Sequence, residues 1–77
     1  MGTIINQNGF KILIRTNDHL PPHVHVFRAG NEAKLSIGTH PELLAPSNMK
    51  PRELAQAIEI VSQHYENLLK EWEHIHG

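Results

Sequence analysis

The 77-residue chain has no cysteine. Disulfides and thiolate zinc sites are thereby excluded, and a small secreted fold stapled by cross-links is not expected. It also lacks any apolar run long enough to span a bilayer, and Met1-Gly2-Thr3 does not open a signal peptide. The expectation is a soluble cytoplasmic protein with no membrane partner. No internal repeat, low-complexity tract or second domain is visible, so residues 1–77 read as one domain. A chain this short buries only roughly 60% of its unfolded surface, and self-association or a partner protein would widen that narrow margin.

Net charge is also nearly absent, at −1, but it is unevenly placed. Residues 1–40 carry Lys11, Arg15, Arg28 and Lys34 against Asp18 and Glu32, which gives 4 − 2 = +2. Residues 41–77 carry three cations against six glutamates, which gives 3 − 6 = −3. Solvated surface charge accounts for most such asymmetry, although a polarised field would also follow from it.

What is abundant is histidine: seven residues, three of them in Asp18-His19-Leu20-Pro21-Pro22-His23-Val24-His25-Val26. Two successive prolines fix φ and remove two backbone donors, so this segment is neither helical nor mid-ladder. The alternation that follows, His-Val-His-Val-Phe, has the period of a strand. It places His23 and His25 on one face and Val24 and Val26 on the other. His74 and His76 fall at the end of the chain and are set aside as a frayed helix terminus.

The remaining pattern supplies a sheet and a cover for it. Thr3-Ile4-Ile5 suggests a short edge strand, Asn6-Gln7-Asn8-Gly9 a turn, and Phe10 to Arg15 a strand. His23 to Arg28 and Glu32 to Ile37 form a hairpin around Ala29-Gly30-Asn31. The core face is then Phe10, Ile12, Ile14, Val24, Val26, Ala33, Leu35 and Ile37. The opposite face holds Lys11, Arg15, His23, His25, Phe27, Glu32, Lys34 and Ser36. After a proline-rich connection over 39–51, with Ser47 or Asn48 as a cap, the steps Leu54, Ile58, Val61, Tyr65, Leu68, Trp72 draw one apolar stripe. They predict a single long helix over about 52–74. The fold class is α+β: an antiparallel sheet of three or four strands, about 3–38, with one long C-terminal helix packed on one face.

Three chemical readings fit the histidines. Imidazoles can be structural, satisfying backbone groups beside the prolines. They can also carry acid–base cleavage of RNA, with His23, His25 and His19 moving protons and Arg15 and Lys34 offsetting phosphate charge. Phe27 would then be available to stack a base. Or His19, His23 and His25 can ligate a divalent metal such as zinc, the only cofactor the sequence suggests, with Asp18 the one carboxylate near them. The helix places His64 beside the apolar stripe, within reach of His19 at the sheet's end. A face carrying Leu13 and Phe27 among charges also suits a protein-binding module, including a homodimer.

The Asp18-to-Val26 motif, together with Glu32-Ala33-Lys34, His64 and Trp72, resembles the small bacterial proteins grouped as domain-of-unknown-function family 4160. The resemblance covers nearly the whole chain. It departs at Gln7 and Asn8, where that family has aromatics, and at Ile60, where it has a mid-helix tryptophan. The resemblance implies a component of a toxin–antitoxin-like two-gene module. Such a component would be partnered by a small protein from a neighbouring gene and directed at RNA if it is catalytic. The alternative is a non-enzymatic protein-binding or metal-binding module. A weaker likeness, of layout only, is to HicA-type RNA-cleaving toxins.

Overall fold

Two turns of one kind set the sheet. In the computed structural model, which describes residues 4–76, Asn8 and Gly9 have φ of 53° and 81°, and Ala29 and Gly30 have φ of 50° and 83°. Two consecutive left-handed residues make the two-residue turn whose twist matches antiparallel strands. Asparagine and glycine adopt it readily. Ala29 does so at some steric cost. The first turn joins β1 (Ile5–Gln7) to β2 (Phe10–Leu13), and the second joins β3 (His23–Arg28) to β4 (Asn31–Ser36). Arg28 Nη1 donates to the carbonyl of Asn8 at 2.7 Å and ties the two turns together.

The four strands lie in the order β1-β2-β3-β4, every neighbour antiparallel. Asn6 and Gln7 belong to β1 rather than to the turn, and the Thr3 end of the expected edge strand lies outside the described residues. The register pairs Ile12 with Val26 and Val26 with Ala33 on one face, and Leu13 with His25 and His25 with Lys34 on the other. The division into faces is the one the period-two pattern predicts. Phe10, Ile12, Ile14, Val24, Val26, Ala33 and Leu35 are all buried, while Ile37 is only partly so.

The connection is less irregular than its prolines suggest. Ser36 donates to Glu42, Leu44 donates to Lys34, and Leu43 bridges Leu35, so residues 42–44 lie along the outer edge of β4. Ser47 and Asn48 do not cap the helix. Ser47 Oγ donates to the Glu32 carbonyl at 2.6 Å, and Asn48 Oδ1 accepts from the Glu32 amide at 3.0 Å. The N-cap position belongs to Lys50, whose amide donates to Glu53 Oε1 at 3.2 Å, with Pro51 as the first helical residue.

The single long helix is two. α1 (Pro51–Gln63) and α2 (Tyr65–His76) are separated by His64, whose φ of −111° and ψ of 14° leave the helical basin. The four-three periodicity runs through this point without a break, because His64 still donates its amide to Ile60 and Val61 and accepts from Leu68. Ala57, Ile60, Val61, Leu68 and Trp72 are buried, whereas Leu54, Ile58 and Tyr65 of the expected stripe are only partly covered.

Candidate functional site

His23 and His25 point away from the valines, as their register requires, yet they are not on a solvated face. They are 3% and 7% exposed. Two elements enclose them. The turn after β2 folds back so that Asp18 reaches both rings, and α2 brings Trp72 to 5.3 Å from the His23 ring. The two imidazoles themselves meet edge to face at 5.2 Å.

The hydrogen bonds constrain the chemistry. His23 Nδ1 lies 2.8 Å from the carbonyl of Pro21, which can only accept, so Nδ1 carries a proton. In the neutral ring Nε2 is then bare, and it faces Asp18 Oδ2 at 3.5 Å. His25 lies between two carboxylates, with Nδ1 at 3.2 Å from Glu32 Oε2 and Nε2 at 3.2 Å from Asp18 Oδ1. A neutral imidazole has one proton to give, so it cannot satisfy both. A bare nitrogen facing a carboxylate is electrostatically unfavourable. The bare Nε2 of a neutral His23 therefore calls for a positive charge in the space shared with Asp18, while His25 is left with one bare nitrogen facing either Asp18 or Glu32.

Asp18 is suited to remain ionised there. Burial alone would raise its pKa. The Arg15 amide, donating at 3.0 Å, together with the His25 hydrogen bond and the charges of His25 and His23, outweighs that effect and holds the carboxyl below its ordinary value. One ligand atom from each of Asp18, His23 and His25 falls within 4.8 Å of the others.

The other expected site residues stand apart. His19 is exposed and outside this cluster; Asp18, its neighbour, takes the place expected for it. Arg15 contributes its backbone amide, while its guanidinium sits 6.0 Å from the centroid of the Phe27 ring. Lys34 is directly cross-strand from His25 and lines a groove with Gly30, Glu32 and residues 45–48. His64 does not approach His19; its Nε2 meets Gln7 Oε1 at 3.1 Å. Two participants were given no role by the sequence. Glu32, expected on the face of His23 and His25, pairs with Phe27 in the register and reaches diagonally to His25 Nδ1 at 3.2 Å. His76, set aside as a frayed end, stacks on Trp72 at 3.9 Å.

No curated protein and no solved structure matches the chain. A family model does match, over residues 9–73, a span that includes the whole histidine segment and Trp72. The chain accordingly belongs to the family described as domain of unknown function DUF4160.

Proposed function

We propose that the chain is a divalent-metal-binding module whose ligands are Asp18, His23 Nε2 and His25 Nε2. The observation that carries this reading is the way both rings are held. Each Nδ1 is committed outward, to the Pro21 carbonyl and to Glu32, which leaves both Nε2 atoms aimed at one carboxylate. Metal-bound histidines are ordinarily oriented in this way by an acceptor on the far nitrogen. The spacing fits as well. Ligands about 2.0–2.1 Å from an ion sit roughly 3.0–3.4 Å apart in octahedral or tetrahedral geometry; the two histidine-to-carboxylate separations, 3.2 and 3.5 Å, are close to this, and all three ligand atoms lie within 4.8 Å of one another. Two imidazoles and a carboxylate suit Zn²⁺ or Fe²⁺, and three protein ligands leave a position for water or substrate.

Metal-free acid–base cleavage of RNA draws less support from the same geometry. The groups bonded to the rings are Asp18 and Glu32, which would repel a phosphate, whereas among the described residues neither the Arg15 guanidinium nor the Lys34 ammonium hydrogen-bonds to either imidazole. An RNA-directed activity and a small partner protein from a neighbouring gene rest on the family resemblance. An ion with an open position would be the means of phosphodiester hydrolysis if they hold.

Calorimetry on chelator-treated protein tests the proposal. Zn²⁺ or Fe²⁺ should bind at one equivalent, His25→Gln should abolish binding, and His19→Ala should leave it unchanged. Equal binding by His25→Gln, or none by the parent, would remove the site.

A further inference from the structure

We infer that α2 is a wall of the Asp18–His23–His25 centre, with Trp72 as its positioning residue, so that metal affinity and the docking of α2 are coupled. This rests on the metal reading above. The His23 ring meets Asp18 at 3.5 Å and His25 edge to face, and its aromatic neighbour on α2 is Trp72, 4% exposed, at 5.3 Å and an interplanar angle of 52°. Trp72 is itself braced. His76 stacks on it at 3.9 Å and 24°, and His76 Nδ1 donates to the Trp72 carbonyl at 3.0 Å. The indole that faces the ligand ring is thus backed by a second ring.

α2 is set off from α1 by a single residue, His64, which is out of helical geometry. Its buried anchors are Leu68 and Trp72, and of these Trp72 is the one that meets His23. An ion that fixes the His23 rotamer fixes the surface on which Trp72 rests. Conversely, an undocked α2 leaves the ring free to turn away from Asp18. Coupling of this kind is reciprocal: whatever factor α2 docking adds to metal affinity, the metal adds to α2 docking.

The test uses hydrogen exchange and calorimetry on the unsubstituted protein and on two variants. In the parent, saturating Zn²⁺ should slow exchange of amides 68–76 by about tenfold or more, with less effect on α1 amides that open locally. Trp72→Phe, which keeps an aromatic ring against His23, should retain Zn²⁺ affinity within about threefold, whereas Trp72→Leu should lose about tenfold or more, the scale of a group supporting a metal ligand. Zn²⁺ binding by the parent with unchanged α2 exchange overturns the coupling, as does parental affinity in folded Trp72→Leu. If Trp72→Leu does not fold, the parental exchange result decides alone. Absence of Zn²⁺ binding by the parent would instead fell the metal reading and this inference with it.

Discussion

Replacing Asp18 with asparagine isolates the carboxylate's charge at nearly constant shape. Asp18 accepts the Arg15 amide at 3.0 Å and faces Nε2 of both histidines, with its side chain 10% exposed. The amide oxygen of asparagine can keep the Arg15 bond. What is lost is one charge-assisted interaction with the imidazoles, so the metal-free protein should lose about 1–2 kcal/mol. In a domain of this size each kcal/mol shifts Tm by roughly 4–8 °C, which predicts a fall of roughly 5–15 °C. The holo protein should separate further. Zn²⁺ at a hundredfold over Kd stabilises the parent by about 2.7 kcal/mol, or roughly 10–20 °C, while Asp18→Asn should show almost none of that rise. Differential scanning calorimetry with and without Zn²⁺ reads both quantities. An equal Zn²⁺-induced rise in parent and variant would show that the carboxylate is not a ligand. A variant as stable as the parent without metal would show that the two Nε2 atoms do not depend on its charge.

Two more outcomes follow from the same contacts. Leu68 is fully buried between α2 and the sheet core, so Leu68→Ala should cost about 2–5 kcal/mol in thermal or urea melts; a parental midpoint would mean that α2 does not pack there. Because Asp18 has a lowered pKa, the unfolded chain takes up this proton before the folded one as pH falls. Its stabilisation is therefore present above the ordinary aspartate range and is lost as pH drops through the lower folded value. The stability gap between parent and Asp18→Asn should hold steady down to about pH 4 and close below it; a gap that widens in acid would reverse the assigned direction.

The sheet was legible because its information is local. Alternating side chains at 10–14, 24–26 and 33–37 fix which face is buried, and Asn8-Gly9 fixes a turn. The histidine face was legible for the same reason, but its burial was not. Burial depends on the residue 15–18 turn folding back and on α2 arriving with Trp72, and neither is written in the strand's own sequence. His19 looked equivalent to its neighbours by spacing. The turn presents Asp18 inward, held by the Arg15 amide, and leaves His19 exposed. The helix break escaped detection because His64 preserves the periodicity and departs only in its own φ and ψ.

The connection that lies along β4 has a consequence for how copies of this chain meet one another. An open strand edge is a template for another strand, and therefore for aggregation. On the outer side of β4, the Glu32 amide and carbonyl, the Lys34 carbonyl and the Ser36 amide are already engaged by Asn48, Ser47, Leu44 and Glu42. An incoming strand would have to displace all four bonds before making its own. The segment that looked like a mere link between sheet and helix thus acts as a selvedge, closing that border of the sheet against growth.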